Sequence, residues 1–269
     1  MTILRKVGAT LDMSVNAPAD LILSMAVAAH HDVEDEHFQM VINGQEMVVS
    51  EVEGPSGSRF HVARGLPVGR MTLTYGATVS GTQKPLQATP LEFIESVRPS
   101  RYCDSDRMLA VAHAELGEVA GANLLVAASR WANTHLQYVS GSSRPVDSAL
   151  DTYLARRGVC RDYAHLVITF LRAYNIPTRL VSVYAPGLAP MDFHAIAEAC
   201  LDGVWYALDA TGLAPRESMV RIATGQDTSD TAFMTVTRGL VALHDVQVTA
   251  VLEGRDLPVD DPTALVSLT

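Results

Sequence analysis

The sequence predicts an α+β chain, with an N-terminal β-sandwich over residues 1–80 and a helical layer packed on an antiparallel sheet over 81–269. Three observations carry this reading. Strand-like segments broken by turn residues fill the first eighty positions, helical periodicity dominates from 105 to 174, and a hairpin pattern closes on Asp202-Gly203.

In the first region, residues 40–42, 46–52 and 71–75 read as strands. Asn43-Gly44 between two apolar runs predicts a tight hairpin, because Asn and Gly accept the positive φ of a type I′ turn. Residues 80–90, rich in Gly, Thr and Gln with two prolines, mark the passage between domains. Beyond it, 105–113 and 123–138 read as helices, the second carrying Leu124, Ala127, Ala128, Trp131 and Leu136. A run through 149–156 then leads to Arg157-Gly158-Val159-Cys160-Arg161-Asp162. Tyr163, Leu166, Val167, Phe170, Leu171 and Tyr174 follow at the spacing of a helix with one buried face, ended by Asn175 and Pro177.

Composition narrows the function classes. With 269 residues, 48% hydrophobic and 19% charged, the chain is expected to pack a globular core. A net charge of −10 without any Lys/Arg cluster argues against a nucleic-acid partner, since phosphate binding draws its affinity from clustered cations. The longest apolar stretch, 21–29, falls short of the ~20 residues that span a bilayer, so no membrane partner is expected. No apolar run follows Arg5-Lys6, which predicts no secretory leader and a cytoplasmic protein. Three scattered cysteines, Cys103, Cys160 and Cys200, form neither a disulfide framework nor a zinc site.

Cys160 stands where a helix begins. Unpaired N–H groups and the positive end of the helix dipole favour a thiolate there, and the same N–H groups can hold the oxygen of a tetrahedral intermediate. Such a nucleophile needs a base that a third group orients. Residues 192–201 and 204–209 read as two strands of a hairpin, and counting outward pairs Leu201 with Val204, Cys200 with Trp205, Glu198 with Ala207 and Ile196 with Asp209. Alternation then puts His194 and Asp209 on one face, at roughly 7 Å between Cβ atoms. Asp209 in that position would fix the imidazole and stabilise its protonated form. Cys200, six residues from His194 and so roughly 20 Å away along a strand, is expected to be structural. Cys103 lacks an activating context, and His165, five positions along the Cys160 helix, reads as a packing or surface residue.

The blocks Arg157 to Asp162, Asp192-Phe193-His194-Ala195 and Trp205 to Thr211 resemble the core of bacterial transglutaminase-like proteins, in the right order. The N-terminal β region, Arg98 to Tyr102 and Arg221 to Asp227 are similar to the same group. The resemblance implies a papain-like core with an accessory β domain, and Cys160, His194 and Asp209 as nucleophile, base and orienting acid. Tyr138, placed by the periodicity at the end of the preceding helix, is a candidate for lining the site or assisting the oxyanion. Ile196 stands where relatives commonly carry an aromatic residue, and Ala210 where they commonly carry proline, which bears on substrate fit.

The expected activity is hydrolysis of an amide or peptide bond in a peptide or protein substrate, through a thioester. Amine transfer, as in transglutaminases, and a non-catalytic binding module retaining the fold are the rival readings. No cofactor is expected. Residues 30–37, dense in His, Asp and Glu, lack the His-Glu-x-x-His spacing of a metal site and read as a solvated loop. Asp227 and Asp230 do not reproduce a calcium loop, so no metal is expected.

Overall fold

The computed structural model describes residues 3–268, so that Met1 and Thr2, which open the segment read for a leader, lie outside it. The first region contains β1 (Leu4–Leu23), β2 (Asp32–Ile42), β3 (Gln45–Glu46), β4 (Ser50–Glu53), β5 (Arg59–Leu66) and β6 (Gly69–Ser80). Helices α1 (Pro90–Ser96), α2 (Leu109–Leu116) and α3 (Ala122–His135) follow, then β7 (Gln137–Tyr138), α4 (Ala149–Ala155), β8 (Arg157–Gly158) and α5 (Cys160–Ala173). The chain closes through β9 (Thr178–Tyr184), β10 (Phe193–Leu201), β11 (Val204–Leu208), β12 (Val220–Gly225), α6 (Thr228–Thr231) and β13 (Met234–Glu253).

The first six strands form one hydrogen-bonded sheet ordered β3-β2-β6-β1-β5-β4, and β13 adds a seventh along β1. Residues 1–80, expected as a β-sandwich, supply strands to this one hydrogen-bonded sheet, which also takes a full-length strand from residues 234–253. Val7, Ala9, Leu11, Met13 and Val15 alternate inward along β1 and are buried. Asn43 and Gly44 hold φ of 51° and 81° in the turn between β2 and β3, as a type I′ hairpin requires. Two expectations change here. The predicted strand 46–52 is divided into β3 and β4, and β2 starts at Asp32, so most of the supposed loop at 30–37 is strand, with His31 buried beneath it.

The second sheet is antiparallel, ordered β11-β10-β9-β12. Helix α5 packs against β10 and β9 on one side and α2, α3 and α4 on the other. Every residue from Asp162 to Ala173 is buried, so this is a central helix rather than the one-faced helix that the apolar spacing predicts. Its one buried cation is paired: Arg172 donates to the carbonyls of Thr178 at 2.9 Å and Gln226 at 2.8 Å, and to Ser100 Oγ at 3.0 Å. Removing Phe170, which is fully buried, would cost about 3–5 kcal/mol from lost transfer energy and the cavity left behind.

The two sheets share a core. Tyr184, Val220, Ile222 and Ala223 of the second sheet pack with the buried side chains of β1, β2, β5 and β6. Tyr184 donates to the Met25 carbonyl at 2.8 Å, and Ala28 N–H to the Arg221 carbonyl at 3.0 Å. Among the described residues no helix is long and apolar enough to cross a membrane.

Candidate active site

Three short elements fix the position of Cys160. Strands β7 and β8 pair in parallel, with Tyr138 opposite Gly158, and α5 starts two residues later. Asp162 accepts from Val159 N–H and from Ser143 Oγ, each at 2.8 Å, and so caps the first turn of α5. This closure depends on Gly158, because an added Cβ would lie 2.6 Å from Asp162 Cβ. Burial pushes the Asp162 carboxyl up against the pull of those hydrogen bonds. Arg161 turns away, donating to Ser143 Oγ at 2.7 Å and to the Arg144 carbonyl. Cys160 is partly exposed at the helix start, whereas Cys103 and Cys200 are buried.

The β10–β11 register is the one that counting predicts, from Leu201 opposite Val204 to Ala197 opposite Leu208. His194 Nε2 lies 2.9 Å from Asp209 Oδ2, with both side chains only 1% exposed. The other carboxylate oxygen accepts from Thr211 N–H at 2.9 Å and Thr211 Oγ1 at 2.7 Å. An ionised carboxylate only accepts, so Nε2 carries a proton and Nδ1 is left as the other working nitrogen. The imidazole is also hydrogen-bonded to the Cys160 side chain. Burial opposes charge on His194, but Asp209 and Cys160 outweigh it and raise its pKa to about 10. Burial opposes charge on Asp209 too, and His194 and Thr211 hold its pKa below the ordinary carboxylate value.

Tyr138 does not end a helix. Leu136 is already extended, with φ −105° and ψ 146°, and Tyr138 belongs to β7. There its hydroxyl accepts from the backbone N–H of Cys160 while the side chain stays 43% exposed. Burial of the hydroxyl, then the neighbouring Cys160, Asp192 and Asp209, push its pKa up to about 12. All four residues singled out as site candidates therefore meet at one place.

The other candidates lie elsewhere. Cys103 is enclosed, and burial pushes its thiol up to about 12. Cys200 faces Trp205 at the opposite end of β10. His165 is buried, stacks on Tyr102 at 5.2 Å, and its Nε2 meets Thr228 Oγ1 at 2.8 Å. Asp227 caps α6 through Ser229 N–H, and Asp230 accepts from Gln226 N–H, so both carboxylates are engaged in turns. Sequence reading missed Asp162, Ser143 and Thr211 as supports. Two of them carry a local signal: an acid three residues into a helix, and a hydroxyl two residues after an aspartate.

A family model described as the transglutaminase-like superfamily matches residues 113–210, which hold Tyr138, Cys160, His194 and Asp209. The whole chain is similar to the crystal structure of a candidate cysteine protease from Cytophaga hutchinsonii, at 30% identity and a TM-score of 0.88, covering 100% of this chain and 98% of that one. It is also 27% identical over 218 residues to the uncharacterized protein ML0607 of Mycobacterium leprae, covering 77% of this chain and 70% of the relative. The chain belongs to the transglutaminase-like superfamily.

Proposed function

We propose that the protein is a cysteine-dependent amide or peptide hydrolase in which Cys160 is the nucleophile, His194 the base and acid, and Asp209 the group that orients His194. One observation carries this reading: a partly exposed sulfur at a helix start, hydrogen-bonded to an imidazole that a buried carboxylate holds from behind. The raised His194 pKa keeps the imidazole protonated at neutral pH, so that a proton donor stands beside the sulfur that attacks the carbonyl.

In the first half-reaction the Cys160 thiolate adds to the substrate carbonyl carbon and the carbonyl oxygen becomes an oxyanion. The Tyr138 hydroxyl and the N–H groups opening α5 are the donors at hand for it. As the intermediate collapses, His194 gives its proton to the departing amine, leaving a thioester on Cys160 and a neutral imidazole. That imidazole then takes a proton from water, whose oxygen attacks the thioester, and the acid and free thiol are regenerated. Resemblance to a candidate cysteine protease over nearly its full length favours water over an amine as acceptor.

Incubation with p-nitrophenyl acetate tests the reading. An acetyl adduct is expected on Cys160, absent in Cys160→Ala, which should unfold at the same temperature as the parent. Decay of that adduct should be faster through water than through added glycine methyl ester. An unlabelled Cys160, or equal labelling of Cys160→Ala, would falsify it.

A further inference from the structure

Four residues before Cys160 the chain makes a turn that its own side chain disfavours. Arg156, which ends α4, holds φ 55° and ψ 25°, a left-handed conformation that glycine adopts freely and a residue with a Cβ does not. Its backbone is tied on both sides: the N–H donates to the Thr152 carbonyl at 2.9 Å, and the carbonyl accepts from Gln137 N–H at 2.9 Å. The second of these bonds opens the parallel ladder of β7 and β8, which Val139 N–H closes on the Gly158 carbonyl at 3.0 Å. Tyr138 lies inside that ladder, and Cys160 stands two residues beyond it.

Glycine would turn the chain here without strain, so what arginine adds lies in its side chain. The guanidinium carbon is 4.7 Å from the centre of the Trp131 ring and 4.2 Å from that of Tyr153, over two rings inclined by only 16° to one another. Glu115 of α2 holds both rings, accepting from Trp131 Nε1 at 3.0 Å and from the Tyr153 hydroxyl at 2.6 Å, and it stands 3.9 Å from Arg156 Nη2. Trp131 in turn meets Phe170 of α5 edge-on at 5.0 Å. One cation therefore bears on α2, α3 and α4 together, with α5 behind them.

Resting on the proposed nucleophile, we infer that Arg156 is a positioning residue for acyl transfer: its stack on Trp131 and Tyr153 holds the left-handed turn and, through the β7–β8 ladder, fixes Tyr138 relative to the Cys160 sulfur. It acts through the ladder rather than on the reacting atoms. A small shift of that ladder would leave the fold intact and spoil the alignment on which attack depends.

A double-mutant cycle separates positioning from stability. Arg156→Gly removes the stack and relieves the turn, two effects of opposite sign and similar size, so the melting temperature should move by no more than about 4 °C. Acetylation of Cys160 by p-nitrophenyl acetate should nonetheless slow by about tenfold per folded molecule, in the acylation rate constant rather than in KM. Arg156→Asn, which also tolerates a left-handed turn, should slow it equally. In either background Tyr138→Phe should add less than about twofold, although alone it should cost about tenfold, because the hydroxyl is already out of place. Losses that multiply in full, or parental rates in both Arg156 variants, overturn the role of Arg156 and leave Cys160 as nucleophile. A parent chain that takes no acetyl group on Cys160 overturns the nucleophile and this inference with it.

Discussion

One strand, β10, carries two buried charge assemblies on the same face, separated by Ile196, and they are built to opposite plans. At Glu198 the carboxylate accepts from Arg179 Nε and Arg221 Nη1, each at 2.9 Å, and Arg221 Nη2 closes the other oxygen. Arg179 also meets Glu92 at 2.7 Å, with its guanidinium 3.8 Å over the Trp205 ring. Every charge there has its counterpart inside the protein. At His194 the chain of contacts runs from Asp209 through the imidazole and ends on a sulfur that solvent reaches. A closed network can only hold the sheet together, whereas an open one leaves its last member able to react. Burial and ionic partners are common to both, so those properties alone do not mark a functional site.

Substitutions on the two sides should separate cleanly. Asp209→Asn keeps the shape but allows the wrong imidazole tautomer, so acetylation of Cys160 by p-nitrophenyl acetate should slow by roughly 10²- to 10⁴-fold. Its denaturation midpoint should move far less than that of Glu198→Gln. Glu198→Gln leaves the buried Arg221 guanidinium without its anion and Arg179 with Glu92 alone, and should cost about 3–5 kcal/mol of stability in urea unfolding, with the acetylation rate per folded molecule within about threefold of the parent. A Glu198→Gln protein of parental stability but lost reactivity would reverse the assignment of the two assemblies.

The two networks also titrate in opposite directions. His194 has its pKa raised from 6.5 to about 10, so its contribution to stability is fully present below about pH 6.5 and is lost as pH rises through about 10. Glu198 has its pKa lowered from 4.5 to about 2, so its contribution is present above about pH 4.5 and is lost as pH falls through about 2. Unfolding measured against pH should show His194→Gln flattening the alkaline limb and Glu198→Gln the acid limb. Imidazole NMR should place the His194 titration lower in Cys160→Ala, because the sulfur helps to hold the proton. An unchanged titration would detach the thiol from the ring.

What the sequence made legible divides along similar lines. Where the relevant geometry is local, residues alone suffice: the Asp202-Gly203 turn fixes the β10–β11 register and hence the meeting of His194 with Asp209. The glycine–cysteine–acid spacing likewise predicts the start of α5. Long-range pairings leave no such trace. Strand β13 joins β1 across more than two hundred residues, and nothing in residues 234–253 names that partner. The buried cluster around Glu198 draws on α1, β9, β10 and β12, each contributing one ordinary-looking charged residue. The alternation of Val7, Ala9, Leu11, Met13 and Val15 was a readable strand signal that turn-based reading passed over.

Tyr138 sits between these cases. Its spacing continues the α3 stripe, yet the parallel pairing with Arg157-Gly158 pulls it out of the helix and onto the Cys160 N–H. Tyr138→Phe removes the hydroxyl and retains the ring that faces Tyr163 at 6.0 Å, so the fold should be unaffected. The Cys160 N–H then loses its acceptor and an oxyanion loses one donor. A single such donor is worth up to about 10²- to 10³-fold, but the remaining N–H groups of α5 and the open position of Tyr138 argue for the smaller loss of about tenfold in Cys160 acetylation. The binding term should stay near parental, since the donor acts on charge that develops only as the carbonyl is attacked. A rise in KM with unchanged turnover would instead make Tyr138 a substrate-binding residue, and the open network would then consist of Cys160, His194 and Asp209 alone.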